Sequence, residues 1–216
     1  MDAINTIIRF FQTGGPFMYP IAIVLMVGVA IAIERWIYLT AVKASNRKAF
    51  ETMMTLLRKK DFSALLKFAG SNNSAVSKAI AAGVSRHSQG FRRDDIEYAM
   101  EESVMEAIPR LEKRTMYLGT LANVATLLGL LGTIIGLIAA FTAVANASPA
   151  EKATLLSQSI SVAMNTTAFG LISAIPLLLV HSVLQTKTTE IVDSLEMAGV
   201  KCLNVMTDKP EAQRSR

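Results

Sequence analysis

Residues Leu127 to Leu137 read LLGLLGTIIGL and lie in the middle of an uncharged run that extends from Thr115 to Ala150. Glycines fall at 129, 132 and 136. Steps of three and four place residues on one side of a helix, and a seam of small residues lets a neighbouring helix come close in lipid. Thr133 sets a hydroxyl beside that seam. A hydroxyl at bilayer depth needs a hydrogen-bond partner or a passing ion. At 100° per residue, Asn123, Thr126 and Thr133 fall within about 80° of one another, and the line Ala122, Ala125, Gly129, Gly132, Gly136 runs about a quarter-turn away. One side can pack while the adjacent side faces something polar, so this helix is expected to line an ion path in a membrane assembly.

Three uncharged runs and a positive mean hydropathy place the chain in the membrane class. The runs are Phe10 to Ile33, Thr115 to Ala150 and Ala153 to Thr186. Each exceeds the roughly 20 residues a helix needs to cross about 30 Å of hydrocarbon. The second and third are longer than a bilayer requires, so their helices are expected to project beyond it or give part of that length to loop. A single cysteine, Cys202, excludes a disulfide framework and any multi-cysteine metal site, and reads as a small apolar residue on the C-terminal helix. A net charge of +5 would suggest nucleic acid in a soluble protein. Here the basic residues mark the inner side of a membrane instead, and no nucleic-acid partner is expected.

Lys43, Arg47 and Lys48 follow the first run, Arg110, Lys113 and Arg114 precede the second, and Lys187 follows the third, whereas the opposite ends carry only Arg9 and Lys152. The positive-inside rule then gives an outer N-terminus, a large inner loop, a short outer turn and an inner C-terminus. The start, Met-Asp-Ala, lacks a basic n-region, and no small-residue cleavage site follows the apolar core, so the first run is expected to stay as a membrane helix.

Ile4, Ile7, Ile8 and Phe11 predict a short amphipathic helix lying along the outer interface before the Gly14-Gly15-Pro16 break. The first membrane helix carries Tyr19 near its outer end and Trp36 and Tyr38 at its inner end. Amphipathic rings favour those levels. Glu34 and Arg35 read as a snorkelling pair at the inner boundary. The inner segment shows helical periodicity throughout, with breaks near Lys59-Lys60-Asp61, at Gly70 to Ser74 and at His87 to Gly90. A long helix then begins near Arg92 with Asp94 and Asp95 at its positive end. Its acidic stretch Glu97, Glu101, Glu102, Glu106 has no histidines at ligand spacing and reads as a solvated or intersubunit face. Pro109 is expected to kink this helix without stopping it.

The third run repeats the design of the second. Ser159, Ala163, Thr166, Gly170 and Ser173 advance by steps of four and three, with Thr167 and Ala174 beside them. One face is therefore small and rich in hydroxyls. Any single hydroxyl could simply bond its own helix four residues back, but two helices with matched small and polar faces suggest more. His181, near the inner end, reads as a packed or interfacial residue ahead of a proton relay. The helix should continue inward through Thr188, Ile191, Leu195 and Ala198, and the tail after Pro210 is short and polar.

The expected fold is thus all-α, an integral membrane protein with three transmembrane helices extended into a helical domain. Its segments are an outer interfacial helix (1–15), a first transmembrane helix (16–40), an inner helical domain (41–114), a second transmembrane helix (115–146), a short outer turn (147–157), a third transmembrane helix (158–185) and an inner extension and tail (186–216).

Several stretches now bear comparison with a known family: IERWIYL at Ile33 to Leu39, IPRLE at Ile108 to Glu112, LGLLGTIIG at Leu128 to Gly136, and Thr167-Ala168-Phe169-Gly170-Leu171 through Ala174-Ile175-Pro176. In this order and spacing the chain resembles the MotA/TolQ/ExbB proton-channel family, most closely its three-helix ExbB/TolQ branch, over nearly its whole length. The resemblance implies a homopentamer in a bacterial inner membrane, with periplasmic N-terminus and cytoplasmic C-terminus, around a dimer of an ExbD/TolR-like single-span partner. In that family the partner's membrane aspartate carries the ion, and the motion passes to a TonB-like or Tol-like periplasmic effector.

The resemblance also matches Thr133 and Thr167 to the branch's pore threonines. With Thr166 and Ser159 they form the expected ion path, while Gly129, Gly132, Gly136 and Gly170 set helix packing. Neither helix two nor helix three has a carboxylate of its own in its uncharged run. An ungapped alignment puts Val162 where relatives generally carry a glutamate, and Thr126 where many carry proline. The coupling ion is therefore H⁺ or Na⁺, since a hard cation needs several oxygen ligands and could be held transiently at Thr133 and Thr167. No cofactor, stable metal or enzymatic activity is expected, for there is no nucleophile elbow, phosphate loop or clustered ligand set. The alternatives are a MotA-like motility stator, which usually has four membrane helices, a stand-alone ion channel or transporter, and a membrane scaffold whose hydroxyls only cement helices.

Overall fold

The computed structural model describes residue 11 and residues 13–207. The amphipathic helix expected around Ile4, Ile7 and Ile8 and the tail after Thr207 lie outside the described residues. Among the described residues six helices follow one another: α1 (Met18–Arg58), α2 (Phe62–Ser71), α3 (Ala75–Ser88), α4 (Arg93–Glu112), α5 (Thr115–Ala145) and α6 (Pro149–Thr207). Three of the helices are long and apolar enough to cross a membrane. No strand occurs among the described residues.

The chain divides into two compact units, residues 1–35 with 114–183, and residues 36–113 with 184–216. In the first unit the usual soluble pattern is inverted. The buried positions of α5 are small for the most part, Ala122, Ala125, Gly129, Gly132 and Ala140, while Leu127, Leu130, Ile134, Ile138 and Phe141 point outward. On α6, Ala163 and Ala174 are buried while Met164, Ile172 and Leu179 are exposed. An outer surface so continuously apolar would be a large exposed patch in water, and it suits lipid or other membrane helices.

Two boundaries bear on the expectation. Pro109 sits inside α4 without stopping it, as expected, but the helix ends at Glu112 instead of continuing into α5. Proline removes its own N–H and disturbs the turn before it, but leaves its carbonyl free, and Pro109 O accepts from Lys113 N at 3.0 Å. The break falls at Arg114, whose φ of 69° is left-handed and ends any continuous helix. The turn expected at 147–157 shrinks to three residues, because α6 starts at Pro149, a favoured first helical position. Ser148 accepts the first backbone bonds, from Glu151 and Lys152, and its hydroxyl donates to Glu151 Oε2 at 2.6 Å.

The expected Glu34–Arg35 pair also separates. Arg35 is only 3% exposed and its Nε donates to Thr115 Oγ1 at 3.2 Å. Glu34 faces Arg114 instead, at 3.5 Å, with both groups about half exposed. Two neighbours on a helix point about 100° apart, so one can turn inward while the other stays at the surface.

The second unit is an ordinary amphipathic helical cluster. Leu39, Met53 and Leu57 of α1 are fully buried together with Leu65, Ile80, Ile96, Ile191 and Leu195. Asp61 caps α2 by accepting from Ala64 N at 3.0 Å, and Ser74 caps α3 by accepting from Ser77 N at 3.3 Å. Lys43 Nζ bonds Glu190 at 2.6 Å and holds that carboxyl below its usual range. Lys187 Nζ lies 4.3 Å from the Trp36 ring centre and donates to Thr40 at 2.6 Å.

Cys202 is buried in this unit and burial pushes its thiol up to about 12. Only the thiolate is an effective nucleophile. The folded protein is therefore expected to resist maleimide at pH 7 and to take up one label per chain on denaturation, as mass spectrometry would read. Rapid labelling of the native protein would contradict the burial.

Candidate ion path between two helices

The site begins with backbone contact. A methyl group added at Gly170 would stand 2.8 Å from Ala125 O and 3.0 Å from Gly129 Cα, and one at Gly129 would meet Gly170 Cα and Thr167 Cα at 3.3 Å. The seam continues along α5, where such a group at Gly132 would meet the Thr166 side chain and one at Gly136 would stand 2.9 Å from Ala163 Cβ. Small residues at steps of three and four on both helices thus let the two backbones touch.

That closeness brings two hydroxyls from sequence positions 34 apart to 3.2 Å, Thr133 Oγ1 from Thr167 Oγ1. Each hydroxyl owns one proton and two lone pairs. Thr133 donates to Leu130 O at 2.6 Å, and Thr167 crosses to Gly129 O at 2.8 Å. Both are shorter than the hydroxyl-to-hydroxyl separation, across which either threonine can donate, so the two hydroxyls and the Gly129 carbonyl form one hydrogen-bonded group of oxygens. Gly129 O also lies 3.5 Å from Thr133 Oγ1. The result is a small group of oxygens in an otherwise apolar, half-buried setting, with neither Asp nor Glu in the uncharged runs around it. Such a group attracts a cation or an acidic proton.

The other residues of the expected path are placed differently. Thr166 is 2% exposed and its hydroxyl engages Gly14 O at 2.5 Å and its own Val162 O at 3.0 Å. It fastens the segment before α1 onto α6. Phe11 stacks edge-on against Phe169 in the same contact, with ring centres 5.5 Å apart, and Gly15 adopts φ of 77°, which glycine alone takes at little cost. A methyl group on Gly15 would meet Val162 Cγ1 at 3.0 Å, so the glycine turn covers the position of Val162. Sequence reasoning missed this contact because its partners lie 152 residues apart.

Ser159 is half-exposed, two helical turns before Thr166 and outside the threonine cluster. Thr126 is exposed and donates to Ala122 O at 3.1 Å. His181 packs its ring beside Gly119, at 3.6 Å from where a β-carbon would sit. Among the described residues no group of His, Cys, Asp or Glu could hold a metal ion.

Thr166→Val is expected to leave the buried Gly14 carbonyl without its donor, at a cost of about 1–3 kcal/mol. Thermal unfolding in detergent should register the loss, and Thr166→Ser should recover most of it. Equal stability of all three proteins would remove the Gly14 contact as an anchor.

Apolar outer faces on three long helices and a glycine-packed pair carrying inward hydroxyls define a multi-pass helical membrane protein. Comparison with known proteins narrows the class. Residues 71–197 match the model of the MotA/TolQ/ExbB proton channel family, which is more than half of the chain. An ExbB homolog named for biopolymer transport, from Methanothermobacter thermautotrophicus, is 30% identical over 196 residues, covering 89% of this chain and 68% of the relative. An ExbB-like biopolymer transport protein of Synechocystis is 25% identical over 176 residues, covering 81% of this chain and 83% of its own. TolQ of the Tol-Pal system of Haemophilus influenzae is 36% identical over 95 residues, covering 43% of this chain and 40% of TolQ. The chain belongs to the MotA/TolQ/ExbB proton channel family.

Proposed function

We propose that this chain is the ExbB/TolQ-like subunit of an ion-driven motor in a bacterial inner membrane, coupling ion flow to work on a periplasmic effector. The observation that carries the reading is the oxygen group of Thr133, Thr167 and Gly129 between two helices whose uncharged runs contain no titratable carboxylate. A path of this kind can solvate a moving charge but cannot itself bind and release a proton at neutral pH, because threonine does not titrate there. No titratable group stands at the threonine cluster itself, His181 packing elsewhere beside Gly119, and an aspartate on an ExbD/TolR-like single-span partner supplies one. When protonated, that carboxyl donates to a threonine oxygen. When ionised, it seeks the aqueous ends of the path.

The reading places five copies of this chain around two of the partner, with the N-terminus periplasmic, the basic inner ends of the helices cytoplasmic, and a TonB-like or Tol-like protein as effector. The apolar outer faces of α1, α5 and α6 are suited to lipid and to neighbouring copies.

The default coupling ion is H⁺. Sodium is favoured by one specific observation: position 162 of α6 is a valine and carries no titratable group, while three oxygens already stand together. Reconstitution with the partner, at fixed pH with and without Na⁺, separates the two. Flux that persists without Na⁺ is the expected result for a proton path, and flux that stops without it establishes the sodium version.

A further inference from the structure

Within the second unit a cavity of about 400 Å³ opens among the middle of α1, the start of α3 and the end of α4. Its wall includes Tyr38, Asn46, Ser74, Lys78, Glu106 and Arg110. Ligand sites of small molecules typically run from roughly 300 to 1,000 Å³, so the space suffices for a headgroup-sized guest. We infer that this cavity is a site for a phosphate-type anion, either the phosphate of a membrane lipid or a free phosphate.

Three independent features converge on that chemistry. The first is the N-terminus of α3, a 14-residue helix with no acidic side chain in its first turn. The aligned peptide dipoles leave partial positive charge at that end; Ser74 Oγ and Asn46 Oδ1 already accept from Ser77 N and Val76 N, and no acidic side chain in the turn offsets the remainder. The second is Asn46, which is 5% exposed. Its Oδ1 accepts from Val76 N at 3.4 Å, which fixes the orientation of the amide. Its Nδ2 is then a buried donor with no acceptor among the described residues. A buried donor without an acceptor is costly, and an anion oxygen is the complement it lacks. The third is the pair Lys78 and Arg110 on the same wall, both exposed and both suited to phosphate.

Glu106 offsets one of these charges, which leaves the wall one positive charge in excess. An asparagine donor, a helix N-terminus and a net positive charge favour an anion over a metal ion at this wall. Position brings a lipid within reach. In the sequence Tyr38 follows Ile33, the end of the first uncharged run, by five residues. Basic pockets at this level commonly receive lipid headgroups.

The test uses the full-length protein purified in a neutral detergent and calorimetric titration with three probes: inorganic phosphate, dioctanoyl phosphatidylglycerol, and dioctanoylglycerol, which lacks the phosphate. Saturable binding of the phospholipid without binding of inorganic phosphate identifies a headgroup site. Binding of both identifies a site for free phosphate as well. In either case Lys78→Gln with Arg110→Gln, exposed substitutions that leave the core intact, should weaken binding at least about tenfold. Asn46→Asp keeps the acceptor for Val76 while replacing the donor with a carboxylate oxygen, and should abolish binding. If Asn46→Asp does not fold, the exposed double variant decides alone. Absence of saturable binding by either phosphate probe, equal binding of dioctanoylglycerol, or undiminished binding in the double variant overturns the proposal.

Discussion

Gly170→Leu is expected to eliminate folded protein from the membrane fraction. Its β-carbon would stand 2.8 Å from a carbonyl oxygen and 3.0 Å from an α-carbon of α5, both backbone atoms that no rotamer change can move aside. Even Gly170→Ala forces the helices apart. Overpacking of this kind typically costs about 1–3 kcal/mol for small additions and more where the surroundings cannot give. Separation would also remove the Thr167 bond to Gly129 O, which exists only because the backbones touch. Gly70→Ala is the control, since a β-carbon there meets nothing within 4 Å, and a helical glycine replaced by alanine gains about 1 kcal/mol in propensity. Yield and thermal stability in detergent should fall in the order Gly70→Ala, wild type, Gly170→Ala, Gly170→Leu. A Gly170→Leu protein as stable as wild type would mean that α5 and α6 do not meet at this seam.

Thr133→Val combined with Thr167→Val should abolish coupling while leaving assembly intact. Valine matches threonine in shape but offers no lone pair, so the oxygens of the path fall from three to the Gly129 carbonyl alone. Each threonine donates to a carbonyl that is already bonded within its helix or can be, so the structural loss is modest, about 1 kcal/mol per hydrogen bond. On the proposed function, the moving ion meets the full loss. Serine at both positions restores the oxygens and should restore coupling. Measured as effector-dependent transport per assembled complex, the double valine protein is expected near background. Activity equal to wild type would assign these hydroxyls to helix packing only. The two substitution sets therefore separate scaffold from path: glycine changes act on assembly, threonine changes on coupling.

The architecture was legible in the sequence to the extent that it rests on local pattern. Uncharged runs longer than a bilayer, glycines spaced by three and four, and hydroxyls beside them are read directly from LLGLLGTIIGL and from Ser159 to Ser173. The helices touch at those same small residues. Features made by long-range contact left no such trace. Thr166 sits on the small face of α6 by spacing alone, and nothing in that spacing shows its bond to Gly14. Glu34 and Arg35 look like one boundary pair until α5 brings Thr115 and Arg114 alongside them. The stop at Arg114 required a left-handed residue that is not glycine, which propensity does not signal. Asn46 lies in an unremarkable polar stretch, and its amide gains meaning only when the start of α3 folds against it.

Position 162 links the sequence to the mechanism. Valine lies there under the Gly14–Gly15 turn, and the uncharged run around it leaves the path without an acid of its own. A subunit built in this way should be silent without its partner. Ion flux into liposomes containing this chain alone, against liposomes containing it with the proposed ExbD/TolR-like single-span partner, tests that most directly. The expected result is background flux from the chain alone and flux on adding the partner that disappears when the partner's membrane aspartate becomes asparagine. Selective ion flux from this chain alone, at a rate the partner does not change, would contradict the account.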